Sequence, residues 1–325
     1  MSYTPRWQSI AAILGAALAL SACGDGVTDS PAVPGSGGGA AVAPMPSAPE
    51  PTPSIDAPAL TGNIALDGRN WINYRRAQAG VPTVTQNAQI DNAALGHSEY
   101  LRTNNLLSHD QEPGRQGFTG ATLGDRLNAA GYTLDRTRGF AYGEVISGSS
   151  NGSGFFMSEE LITAIYHRFV IFEPMFREIG TGAASASRGY HYFTADFASR
   201  NGYGPGIARG AIVTWPFNGQ TGVAPNFFSD TEEPDPVPDR NEVGYPISVH
   251  VNLDSALTVD TFTVRPRGGA VLQVLRVDPV TTNTNFSAAS IIPVLPLRAA
   301  TTYEVNFTGT VNGAAVARAW SFTTR

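Results

Sequence analysis

Cys23 is the only cysteine in this chain of 325 residues. No intramolecular disulfide can form, so whatever folds must be held by an apolar core rather than by covalent staples. The length permits that. A domain of ~150 residues buries roughly two-thirds of its unfolded surface, and this chain has room for about two. Charged residues are sparse at 15%, the formal net charge is −6, and no Lys/Arg-rich stripe occurs. That balance argues against a nucleic-acid partner.

Cys23 closes "ALALSAC", after a weakly basic start at Arg6 and an apolar stretch from Ile10 to Leu20. The stretch is too short to span a bilayer and suits an export signal. Leu-Ser-Ala-Cys resembles the lipobox of bacterial lipoproteins, which implies a leader over residues 1–23 and a lipid anchor on Cys23. The alternative is an ordinary signal peptide with a chance cysteine near its end. Gly24 follows, where the absence of Asp implies sorting to the outer membrane. Residues 24–60 are Pro, Gly, Ala and Ser with almost no aromatic or charged residue, a flexible tether.

From residue 61 to 202 the pattern is mixed α and β. "DGRNWINYRRAQAG" predicts a helix ending at Gly80 before Val81-Pro82. "NAQIDNAALGHSEYLRTNN" places Ile90, Ala94, His97 and Leu101 on one buried stripe. A third helix begins at Thr122 with Asp125 as its capping-box partner and ends at Gly131. Ser158 is the expected N-cap of a fourth, with Glu159 and Glu160 in its first turn and His167 further along it. "REIGTGAAS" and "GYHYFTADFA" predict a strand hairpin around Arg188-Gly189. Helices and strands without a βαβ rhythm indicate an α+β sandwich.

From 203 to 325 the helical period disappears. "ISVHVNL", "TFTVRP", "VLQVLRV", "TTYEVNFTG" and "RAWSFTT" are short, rich in β-branched and aromatic residues, and separated by turn residues. Asn312-Gly313 is the pair best suited to a type I′ hairpin turn. The expectation is an all-β sandwich whose end resembles bacterial Ig-like domains, with His250 a surface or edge residue of one strand. The two regions are expected to fold independently.

Candidate chemistry rests on His97, His109, Glu144, Glu160, His167 and His191. Each alone has a plain structural reading: His109 beside a helix end, Glu144 in a Gly-flanked segment, His167 as a core histidine. Their order and context are more informative. "WINYRRAQAG…NAALGHSEYLRTNNLLSHD", "GDRLNAAGY", "YGEVIS", "YHRFVIFEPMFREIGTG" and "YHYFTADFA" together resemble the CAP superfamily of cysteine-rich secretory, antigen-five and pathogenesis-related proteins. The bacterial SCP-like branch is the nearer match, over roughly residues 65 to 199.

The resemblance implies an α-β-α sandwich whose central cavity is lined by two histidines and two acids. Matched by motif, these include His109 from "LLSHD", Glu144 from "YGEVIS" and His167 from "YHRF", with His97 lining or supporting the cavity. Three departures stand out. Val145 follows Glu144 where the family favours Asn, Phe193-Thr194-Ala195 replaces a Trp-Thr-Gln run, and the second acid is missing from its place. Glu160, one turn earlier on the expected helix, is the substitute suggested by helical geometry. Such a cavity could bind a lipid, glycan or peptide head group, or a Zn²⁺ ion through His109, His167 and Glu144, without covalent catalysis. The alternatives are hydrolysis with Glu144 as general base, and a structural or adhesive envelope protein.

Overall fold

The helix expected near Asp67 is α1, Ile64–Ala79, started by Asn63, whose side chain accepts from the Leu66 N–H, and stopped by Gly80 at φ 80°. Helix α2 (Ala88–Asn104) buries the predicted stripe of Ile90, Ala94, His97 and Leu101. Helix α3 (Leu123–Ala129) begins with the predicted Thr122/Asp125 capping box. The computed structural model describes residues 57–135, 137–279 and 287–325. The leader, Cys23 and the tether up to residue 56 lie outside them.

The next helical stretch departs from expectation. Helix α4 (Gly154–Thr163) starts five residues early, with Ser153 rather than Ser158 as N-cap. Gly154 sits hard against α1, where a Cβ would meet the Ile64 carbonyl oxygen at 2.3 Å. Ser158, fully buried, gives its hydroxyl to the Gly68 carbonyl instead. Ala164 is extended at ψ 128°, and the chain restarts as a separate short helix, α5 (Ile165–Ile171), with no local side-chain cap. The continuous helix that would align Glu160 with His167 therefore does not form.

These helices sandwich a four-stranded sheet of order β1-β3-β4-β2, comprising β1 (Thr85–Gln86), β2 (Ala141–Ser149), β3 (Glu178–Ser185) and β4 (His191–Ser199). β1 runs parallel to β3; the other pairings are antiparallel. Strand alternation sorts the side chains by face. Tyr142, Ile146, Tyr192 and Ala198 pack toward α2 and α3. Val145, Phe193, Ala195 and Phe197 pack with Trp71, Phe155 and Phe156 of α1 and α4. The approach of α2 is close enough to demand glycine: Cβ atoms on Gly180 and Gly182 would lie 2.1 Å from the backbone at Ile90 and Leu95.

Beyond residue 202 the described elements are strands apart from one 3-10 turn (Ser229–Thr231). A sheet of order β10-β11-β8-β5 joins Val274–Val277, Ala288–Pro293, Ile247–His250 and Val213–Trp215; a second, β13-β12-β9, joins Ala314–Thr323, Thr302–Val311 and Leu257–Pro266. A ribbon pairs β6 (Asn226–Phe228) with β7 (Glu242–Gly244). Asn312 and Gly313 take positive φ between the last two strands, as a type I′ turn requires.

The apolar core does not divide at residue 202. One cluster runs from Trp71 and Phe155 through Trp215 and Ile247 to Tyr303 and Phe322. Buried Arg168 of α5 donates to the carbonyls of Ile162, Thr163 and Pro246 and to the Ser248 hydroxyl, so a helix cation depends on acceptors from the β region. His250, expected at a surface or edge, is 1% exposed on an inner strand, with its ring against the edges of Phe169 and Phe172. Helix α5 covers that strand, and the sequence of the strand itself carries no trace of the cover.

Candidate functional site: two carboxylate-backed histidines

His97, on the buried stripe of α2, resolves as a core histidine. Its Nε2 donates to the Ser108 carbonyl at 2.9 Å, and its Nδ1 accepts from the Gln111 side chain at 2.9 Å. Both ring nitrogens are satisfied in the neutral form. Burial, set against attraction from Glu144, brings its pKa down to about 4. The ring thus pins the loop after α2, which carries the neighbouring histidine.

That neighbour, His109, is 5% exposed, and its Nδ1 donates to Glu144 at 2.8 Å. Glu144 projects from β2 toward α2 and α3. Its second oxygen accepts from Arg126 Nη2 at 2.7 Å, while Arg126 Nη1 donates to the His109 carbonyl at 2.9 Å. Burial alone would raise the Glu144 carboxyl, but Arg126 and the two imidazoles outweigh it and hold it well below the usual carboxylate range. The ring's other nitrogen, Nε2, is buried without a hydrogen-bond partner among the described residues.

Asp196 stands opposite Glu144 across the β2–β4 pairing, fully buried. Among the described residues, no N–H group and no hydroxyl reaches its oxygens. Across the strand pairing it faces the ionised Glu144 carboxylate, beside which its neutral, protonated form is favoured. Burial first, then the Glu144 charge, pushes the Asp196 carboxyl well above its ordinary value. The array reads Asp196–Glu144–His109, with Arg126 supplying the balancing charge.

His167 sits at the start of α5, which packs beside β2. It too is buried, its Nδ1 is 3.0 Å from a carboxylate, and its Nε2 has no partner among the described residues. The carboxylate belongs to Glu232, in the β region, not to Glu160. Glu160 lies on α4, where its carboxylate has neither a hydrogen-bond donor nor a cation among the described residues; burial raises it to about 7. By their hydrogen bonds and ion pairs, Glu144 serves His97 and His109, Glu232 serves His167, and Glu160 serves neither histidine. His191 lies apart, its Nδ1 against the Ser185 hydroxyl.

The Zn²⁺ set expected from the resemblance comprises His109, His167 and Glu144. Both Glu144 oxygens are engaged, and among the described residues no group of three or more His, Cys, Asp or Glu is placed to hold a metal ion. Sequence reasoning missed Gln111, Arg126, Asp196 and Glu232. Asp196 had a signal, an acid inside the apolar run "YHYFTADFA"; Glu232 had none.

Residues 70–197 match the family model described as CAP, the cysteine-rich secretory protein family. Among solved structures, the chain is similar to an extracellular protein containing an SCP domain from Bacillus anthracis, at 24% identity and a TM-score of 0.35. That match covers 42% of this chain and 40% of the other. It is also similar to an outer surface protein from Borrelia burgdorferi, at 12% identity and a TM-score of 0.34, covering 41% of this chain and 90% of that one. The sequence matches no curated protein.

Proposed function

We propose, from the premise that residues 70–197 form a domain of the cysteine-rich secretory protein family, that this domain binds a ligand at His109 without covalent catalysis. The observation that carries the reading is the unpaired His109 Nε2, buried while the ring's other face is fixed by Glu144. A buried polar atom left without a partner costs about 1–3 kcal/mol. A ligand presenting a hydrogen-bond donor would recover that cost. Because Glu144 accepts the Nδ1 proton, Nε2 offers a lone pair, so a hydroxyl, amide or ammonium of a lipid, glycan or peptide head group is the matching chemistry.

The domain is exported and held at the bacterial envelope by the lipid on Cys23, with the outer membrane as its site. The β region is an Ig-like module. No helix among the described residues is long and apolar enough to cross a membrane.

The test is calorimetric titration with phosphocholine micelles, chitin oligosaccharides and Zn²⁺, on the wild type and on His109→Ala. Binding of a head group that is lost in His109→Ala supports the reading. Binding unchanged by His109→Ala refutes it. Zn²⁺ binding that vanishes in both His109→Ala and His167→Ala would restore a shared metal site. A second reading, hydrolysis, has one observation in its favour: a carboxylate-backed imidazole with a free Nε2 is the arrangement of a general base. Turnover of p-nitrophenyl esters, abolished in His109→Ala, would favour it.

A further inference from the structure

Glu232 lies outside the family match, 65 residues from His167, yet it is 1% exposed and enclosed by α5. Its Oε2 accepts from the Ile165 N–H at 2.8 Å; its Oε1 accepts from the N–H groups of Tyr166 at 2.6 Å and His167 at 3.1 Å, and from His167 Nδ1 at 3.0 Å. A tertiary contact thus caps a helix that has no cap of its own. The segment is delivered rigidly. Ser229 bonds Asn241 and Arg240 across the ribbon, and Phe227, Val237 and Val243 pack with Ile165, Tyr166 and Phe169.

Capping alone would need only the three backbone N–H groups. The fourth contact, to the imidazole, reproduces what Glu144 does for His109: a carboxylate on Nδ1, burial of the ring, and Nε2 left open. A carboxylate surrounded by donors only is an acceptor, so Nδ1 must carry the proton and Nε2 must keep its lone pair. Carboxylates standing behind ligand-binding histidines fix tautomer and ring orientation in the same way.

We propose that Glu232 is a positioning residue for His167, so that the β region completes the candidate site by supplying a carboxylate that residues 70–197 do not place there. This rests on reading the buried, open Nε2 atoms as ligand-facing; the test itself needs no ligand. Ring nitrogen shifts of the five histidines would be read by long-range proton–nitrogen correlation on the labelled full chain. The pH is set above ~8, where imidazoles near their reference value are neutral.

In the wild type, the His167 Nδ1–H tautomer should exceed the Nε2–H form by more than about tenfold, the scale expected of a charge-assisted hydrogen bond. Glu232→Ala should reduce that excess to a mixture while the His109 signals stay put. A wild-type His167 in the Nε2–H form overturns the proposal, as does a Glu232→Ala protein that keeps pure Nδ1–H, since Glu232 would then be a helix cap only. If Glu232→Ala does not fold, Glu232→Gln decides. Its carbonyl can still face Nδ1 with the NH₂ turned to the Ile165 N–H, but as a neutral acceptor, so the Nδ1–H excess should fall clearly below the wild-type value, and an undiminished excess refutes. Failure here leaves ligand binding at His109 standing, because that reading is measured separately by His109→Ala.

Discussion

Replacing Glu144 by Gln tests the buried charge array as a unit. Gln preserves shape and can still accept from His109, but Arg126, 1% exposed, loses its 2.7 Å counter-charge. Breaking a buried ion pair by removing one partner costs about 3–5 kcal/mol. Asp196 should reduce that. It holds a proton in the wild type because it is buried and faces an ionised Glu144; in the Glu144→Gln variant it is the remaining acid near Arg126 and can ionise. A recovery of about 1–2 kcal/mol is expected, within the range of coupled neighbours. Asp196→Asn alone should cost under about 1 kcal/mol, because the amide is neutral and of the same shape as the protonated acid it replaces. The double variant should therefore exceed the sum of the singles by about 1–2 kcal/mol.

The sign of the pH dependence separates the two acids. Glu144, depressed in the folded protein, contributes stability above its unfolded value of ~4.3 that is lost as pH falls. Asp196, raised in the folded protein, contributes stability below ~3.9 that is lost as pH climbs through its folded value. Asp196→Asn should thus flatten the decline above about pH 4 and leave the acid limb in place. Urea unfolding across pH, with calorimetric melting as a check at about 2–4 °C per kcal/mol, reads both effects. If the two variants are additive within about 0.5 kcal/mol, or Asp196→Asn costs as much as Glu144→Gln, Asp196 is not the proton-holding partner.

Three further outcomes are expected. A chain ending at residue 202 loses Glu232 and the Pro246 and Ser248 acceptors of Arg168, so it should melt well below the full chain or without a cooperative transition; an unchanged melting temperature would show that the helical half stands alone. Gly182→Ala places a Cβ 2.1 Å from the Leu95 backbone nitrogen, a clash no side-chain rotation relieves, and should cost at least the ~1–3 kcal/mol of overpacking by denaturant titration. Cys23→Ser should move the protein from the membrane to the soluble fraction or leave an uncleaved precursor, and unchanged partitioning and processing would refute the lipid anchor.

What the sequence alone determined is local or periodic. Asn312-Gly313 dictates its hairpin because few residues tolerate two consecutive positive φ angles, Thr122 and Asp125 cap a helix three residues apart, and Gly80 ends one. The buried stripe of α2 follows from a 3.6-residue period, and motifs met in a fixed order are what pointed to His109, Glu144 and His167. Which atoms those residues meet was a tertiary matter. Glu160 was the nearer acid on a straight helix, yet the helix breaks at Ala164 and Glu232 caps the new start. Asp196 becomes Glu144's partner only through the β2–β4 register, and His250 becomes buried only because α5 covers its strand. A carboxylate far along the chain can displace a nearby one because hydrogen-bond geometry depends on distance in space, and the shared core that brings Glu232 to His167 is assembled from both halves of the chain.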